Sequence, residues 1–231
     1  AIHYDPDSPT PKSTYVWTIR IPSGTILRCD GATGNIEINN FRGSANLDAA
    51  ELELLVMDCI GNFRVSTASG NFSVTNSEGT LNFSSASAKI DFTHVAGSFS
   101  ISSTSENINA EDIMITDASN FSSNSGDINI SLKETLMYDL ELKTGSGNAV
   151  LDFNGQDIAG SFEFIARADK GKIICPFTFD EELVFQDDLN TYRGEEDFGK
   201  QADYIKKRCR VTSDFPEIKM RTVTGTIRVK N

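Results

Sequence analysis

Histidine, tryptophan and positive charge are scarce in this chain. Of its 231 residues two are histidine and one is tryptophan, and 21 Lys and Arg face 33 Asp and Glu. The net charge of −12 argues against a nucleic-acid partner, because binding phosphate needs a positive field. It argues equally against adhesion to anionic lipid. The two histidines, His3 and His94, stand alone and no G-x-S-x-G stretch occurs, so nucleophilic catalysis lacks its usual parts. Four cysteines, Cys29, Cys59, Cys175 and Cys209, form no C-x-x-C pair and have no histidine at ligand spacing, which speaks against a zinc ribbon or finger. Neither a metal nor a cofactor is expected. No run of about 18 apolar residues is present, so no transmembrane segment is expected.

The opening stretch AIHYDPDSPTPKST has no basic n-region and no apolar h-region. With Pro6, Pro9 and Pro11 it reads as a flexible tether over residues 1–14, either left by a removed leader or simply a frayed terminus. Residues 15–231 then read as one domain.

What is abundant is repetition. Cut from Gly34, the chain runs GNIEINNFR, GSANLDAAE, LELLVMDCI, GNFRVSTAS, GNFSVTNSE, GTLNFSSAS, AKIDFTHVA, GSFSISSTS, ENINAEDIM without insertion, and TILRCDGAT fits upstream from Thr25. Third positions are Leu27, Ile36, Ala45, Leu54, Phe63, Phe72, Leu81, Ile90, Phe99 and Ile108. Fifth positions are Cys29, Ile38, Leu47, Val56, Val65, Val74, Phe83, Phe92, Ile101 and Ala110. The residue between is usually polar. Alternation of this kind is the period-2 mark of a strand with one buried face, and the recurrent glycine at the first position marks a bend. The mostly small eighth position (Ala32, Phe41, Ala50, Cys59, Ala68, Ser77, Ala86, Val95, Thr104, Ile113) is expected to be a second inward point.

These features predict an all-β fold, a single-stranded parallel β-helix or solenoid in which each nine-residue unit is a half-rung. Two units give a rung of about 18 residues, the favoured reading, and three would give about 27 with a triangular section; either way rungs stack about 4.8 Å apart. After Met114 the phase slips. NSGDINISL then sets Ile128 and Ile130 inward, and PEIKMRTVT and GTIRVKN restore the period through Ile218, Met220, Ile227 and Val229. Between them residues 180–210 lack the repeat and are expected to form a loop or short helix over one end. Upstream, VWTIRIP alternates through Trp17, Ile19 and Ile21 and reads as a capping strand.

The runs SGNFSV, GTLNF, GSFSIS and SGDINISL, closed by RTVTGTIRVKN, resemble bacterial adhesin domains of unknown function, related to the auto-transporter head domains named for a Gly-Ile-Asn pattern. The resemblance covers about residues 25–165 and 211–231. It implies a β-helix in an exported protein of the cell surface or periplasm, lipid-anchored where a leader has been removed, and it supplies no catalytic residue.

Calcium-binding nine-residue repeats need aspartate in fixed register. Here Asp30, Asp48, Asp58, Asp91, Asp112 and Asp117 fall at different repeat positions, so no carboxylate ladder is expected. The acidic group Asp187, Asp188, Glu195, Glu196 and Asp197 reads first as a solvated loop. The second positions Asn35, Ser44, Asn62, Asn71, Thr80, Ser98 and Asn107 form a polar stripe, either a hydrogen-bonding surface for glycan or protein or a structural ladder at the turns. Two-strand rungs would also gather Lys89, Asp91, Asn107 and Asn109. A Cys175–Cys209 disulfide is conceivable in an oxidising compartment, whereas Cys29 and Cys59 read as small buried hydrophobes. The functional expectation is a non-enzymatic cell-envelope module that adheres or scaffolds, with a glycan or a cell-surface protein as partner. The alternative is a carbohydrate-active enzyme of the polysaccharide lyase or hydrolase kind, built on a β-helix with a site formed by the 180–210 excursion against an outer face, where Asp91 or residues 187–197 would carry the activity.

Overall fold

Alternating side chains bury one face of each strand, and that face needs a neighbour before it is shielded from water. In the computed structural model, which describes residues 18–186, 203–212 and 215–231, the need is met by stacking. Seven rungs follow one another. The first four are single bent strands, β1 (Thr25–Asn39), β2 (Arg42–Met57), β3 (Ile60–Thr75) and β4 (Glu78–Thr93). The next three are split at the corner: β5 (Ala96–Ser103) with β6 (Ile108–Ile115), β7 (Ser119–Ser123) with β8 (Ile128–Leu132), and β9 (Leu140–Thr144) with β10 (Ala149–Asp152). Leu47 lies beside Val65, Val65 beside Phe83 and Phe83 beside Ile101, all in parallel register. Each step is 18 residues, so the rung holds two arms. A 27-residue triangular rung is excluded.

The inward assignment of the third and fifth positions holds from Ala45 to Ala110, where every one is buried. In the first rung Leu27, Cys29 and Ile36 are only half-buried, since only one side has a neighbour. Phenylalanines run down the middle, with ring centroids 5.6 Å apart for Phe72–Phe83, 5.7 Å for Phe83–Phe92, 5.5 Å for Phe92–Phe99 and 5.4 Å for Phe99–Phe121. Each such pair adds about 0.5–1.5 kcal/mol beyond area burial.

The two corners of the rung differ, and here the uniform eighth position fails. Phe41, Cys59, Ser77, Val95 and Ile113 are buried, but Ala32, Ala50, Ala68, Ala86 and Thr104 are exposed. At the first corner the preceding residue takes a left-handed backbone: Asn40, Asp58, Asn76, His94 and Asp112 have φ between 49° and 55°. Asn and Asp tolerate that conformation best, and it turns the next side chain inward. Shortly after it the glycines stack. A Cβ on Gly61 would lie 1.7 Å from the Gly43 carbonyl oxygen, so no side chain fits. At the second corner a column of buried hydroxyls closes the turn. Thr144 Oγ1 donates to the Gly126 carbonyl at 3.1 Å and accepts from the Gly147 N–H at 3.0 Å; Ser123 does the same between Glu106 and Gly126.

The phase slip is an insertion at the corners. Ile108 pairs with Ile128 and Ile128 with Ala149, so the spacing grows to 20 and then 21 while the inward residues stay in line.

The remaining strands leave chain order. β11 (Gly160–Arg167) and β12 (Lys172–Ile174) form a rung, and β13 (Glu181–Gln186) pairs antiparallel with β14 (Asp203–Val211). β14 in turn lies antiparallel on β11. The described part of the 180–210 excursion is therefore a β-hairpin extending one arm, and the expected loop or helix is corrected; paired strands satisfy an edge that a loop would leave open. Finally β15 (Glu217–Thr222) and β16 (Thr226–Lys230) slide between earlier elements. β15 pairs with β9 on one side and β11 on the other, and β16 pairs with β10 and β12. The C-terminal rung is thus next to last in space. The expected capping strand around Ile19 is also corrected: residues 18–22 form no strand and Ile19 is exposed. Trp17, the 1–14 tether and residues 187–202 lie outside the described residues.

Candidate ligand surface

Two arms present two outward faces, and the 18-residue register decides which polar residues meet. On the second arm one column runs Asn35, Glu53, Asn71, Lys89 and Asn107, and beside it another runs Ser73, Asp91, Asn109 and Asn129. Asn71 Nδ2 donates to both Glu53 carboxylate oxygens at 2.9 and 3.1 Å. Lys89 Nζ pairs with Asp91 Oδ2 at 2.8 Å. Asn109 Nδ2 donates to Asp91 Oδ1 at 2.9 Å, and Asn129 Nδ2 to Asn109 Oδ1 at 3.1 Å. The structure therefore gathers Asn71, Lys89, Asp91, Asn107 and Asn109 on one face. Asn62 is not among them. It lies on the first arm between Ser44 and Thr80, so the single stripe is corrected to two columns on separate arms.

Further along, the same column serves the backbone. Asn107 Oδ1 accepts the Asp127 N–H at 2.8 Å, Asp127 Oδ1 the Asn148 N–H at 2.7 Å, and Asn148 Oδ1 the Thr226 N–H at 2.9 Å. This half is structural, supplying partners to half-buried amides at a corner where the strands do not pair them. The half from Glu53 to Asn109 bonds side chain to side chain on the outer surface and leaves the Lys89 ammonium half exposed.

A second feature, absent from the sequence reading, is an outer cleft of about 340 Å³ where β11, β14 and β15 meet, lined by Glu163, Asp180, Glu181, Arg208, Arg210 and Glu217 among others. Glu163 receives Arg208 at 2.7 Å and Lys206 at 3.1 Å. Burial pushes its carboxyl up, but hydrogen bonds from Arg208 and Lys206 outweigh this and hold it below the usual carboxylate range. The antiparallel register puts Arg208 and Lys206 on the same face as Glu163, and nothing in a repeat count pairs β14 with β11, so the cleft carried no sequence signal.

No disulfide joins the four cysteines in the structure. Cys59 is buried at the first corner, and its Sγ–H donates to the Met57 carbonyl at 3.0 Å. Burial raises Cys209 to about 12, with Cys175 and Asp180 adding to it. The Cys175–Cys209 disulfide stays a proposal. Among the described residues no group of three or more His, Cys, Asp or Glu is placed to hold a metal ion, and no helix is long and apolar enough to cross a membrane. The acidic group from Asp187 to Asp197 lies outside the described residues.

Two-armed parallel rungs with ordered polar columns outside define a β-solenoid domain. The chain belongs to the Toastrack DUF4097 family, which matches residues 18–164, well over half of the 231. The matched stretch ends inside β11, so the β13–β14 hairpin and the C-terminal rung fall beyond it. No curated protein and no solved structure matches the chain.

Proposed function

We propose that the chain is a non-enzymatic module of the bacterial cell envelope, exported and displayed at the surface or in the periplasm, that binds a glycan or a cell-surface protein along the outer face of its second arm. The observation that carries the reading is the pair of adjoining columns Glu53–Asn71–Lys89 and Asp91–Asn109, joined by the Lys89–Asp91 ion pair. It offers donors and acceptors at the rung spacing of about 4.8 Å, on rigid strands that need no reordering to meet a ligand. A flat, polar, periodic face suits an extended polymer better than an enclosed small molecule. The likeness of the strand runs to adhesin and auto-transporter head domains supports export and display at the cell surface or in the periplasm.

The test is a glycan array and a cell-binding assay with the intact chain and with Lys89→Ala and Asn71→Ala. Saturable binding is expected, weakened roughly tenfold by either change, with an unfolding midpoint close to the parent's because both side chains are exposed. Absence of any saturable ligand refutes the adhesive reading and leaves a scaffold. The outer cleft favours a second reading, a carbohydrate-active enzyme, because carboxylates flank a guanidinium there. With Glu163 held ionised, the general acid would fall to Glu181 or Glu217. Turnover on a polysaccharide panel that Glu181→Gln or Glu217→Gln abolishes would establish it; no turnover across the panel removes it.

A further inference from the structure

The C-terminal rung occupies a slot that the rest of the chain builds on both sides. Ile218 lies between Leu140 and Phe162, and Ile227 between Ala149 and Ile173. Recognition goes beyond the strand ladders. The Glu217 N–H donates to Asp139 Oδ1 at 2.8 Å, Thr222 Oγ1 to the Gly147 carbonyl at 2.9 Å, the Val223 N–H to the Gly145 carbonyl at 2.9 Å and the Thr226 N–H to Asn148 Oδ1 at 2.9 Å. Gly225 stacks so tightly that a Cβ there would lie 1.9 Å from the Gly147 carbonyl oxygen. The segment repeats the corner grammar of the rung beneath it, Thr222-x-x-Gly225-Thr226 over Thr144-x-x-Gly147-Asn148.

None of these contacts depends on the segment's belonging to the same molecule. The approach to it is strained: Thr212, just beyond β14, has φ 63°, a costly left-handed backbone for a β-branched residue. Strain of this kind ahead of an otherwise self-contained element favours exchange of that element between copies.

We propose that this slot is a strand-acceptor site for a second copy of the chain, and that two copies exchange residues 215–231 to form a swapped dimer. Each copy then donates its last rung to the slot between rungs 140–152 and 160–174 of the other, and Thr212 relaxes.

The test uses the intact chain, unfolded in urea and refolded at high protein concentration with light scattering as readout. The expected result is a dimer beside the monomer, with the same far-UV circular dichroism. A synthetic peptide of residues 215–231, added in molar excess during refolding, suppresses the dimer and is retained by the chain. The same peptide carrying Gly225→Ala does so roughly tenfold less effectively or worse. A chain that refolds only to monomer overturns the proposal whether or not peptide is retained, and so does equal suppression by both peptides.

Discussion

Replacing Phe72 by aspartate probes the inward face at its most crowded point. Phe72 is 0% exposed, lies between Leu54 and Ile90 in register and meets the Phe83 ring edge-on at 5.6 Å. Truncating a buried phenylalanine to alanine costs about 3–5 kcal/mol, and an unpaired carboxylate left in the cavity adds several more. Together these approach the whole stability of an ordinary domain, about 5–15 kcal/mol. Because each rung is held chiefly by its neighbours, the damage also separates β1 and β2 from the rest of the stack. Ser73, one residue on, points outward between Leu55 and Asp91. An aspartate there sits one strand from Asp91, a like-charge contact worth about 0.2–1 kcal/mol that the Lys89–Asp91 ion pair moderates. Urea unfolding followed by far-UV circular dichroism separates the two. Phe72→Asp is expected to be unfolded, or nearly so, without denaturant, while Ser73→Asp keeps a midpoint close to the parent's. Equal behaviour of the two variants refutes the inward and outward assignment.

Gly61→Ala forces a Cβ onto the Gly43 carbonyl and is expected to lower the urea midpoint strongly, whereas Gly31→Ala, with nothing within 4 Å, leaves it almost unchanged. Glu163 is ionised more readily in the folded chain than in the unfolded one. Its contribution is therefore present above the ordinary glutamate value of 4.5 and lost as pH falls through the lowered folded value. The parent should lose more stability than Glu163→Gln between neutral pH and that acid window, as urea midpoints across pH will show. Cys209, raised to about 12 by burial, and the buried Cys59 are expected to resist iodoacetamide in the folded chain. Mass spectrometry after denaturation without reductant then counts four alkylated thiols if all are free and two if Cys175 and Cys209 are bridged.

The inward residues were legible because stacking forces the same choice at every rung: third and fifth positions repeat, and Phe63, Phe72 and Phe83 could only be core. The two-armed rung was legible as well, in a signal that averaging over nine residues concealed. Phe41, Cys59, Ser77, Val95 and Ile113 alternate with Ala32, Ala50, Ala68, Ala86 and Thr104, and that 18-residue alternation is the difference between a corner that turns a side chain in and one that buries a hydroxyl. Once the step of 18 is adopted, the partners Asp91–Asn109 and Glu53–Asn71 follow, and Asn62 separates from Asn71. The place of the C-terminal rung did not follow from periodicity, since Ile218 and Ile227 announce only which way they face. The shared corner grammar of Thr144–Asn148 and Thr222–Thr226 was the available clue. The β13–β14 hairpin was obscured because Lys207 points along the core side, over the Phe179 ring at 4.6 Å and paired with Glu182 at 2.9 Å. Among the described residues no further rung covers that end, so a charge is accommodated where the alternation predicts an apolar residue.

The central claim, a two-armed rung of 18 residues with the last rung inserted out of order, is tested most directly by backbone nuclear Overhauser contacts in a deuterated, uniformly labelled sample. The account predicts contacts between Val65 and Phe83, between Val74 and Phe92, and from Ile218 to both Leu140 and Phe162. Contacts between residues 27 apart, or a direct Leu140–Phe162 contact with Ile218 absent from between them, would contradict it.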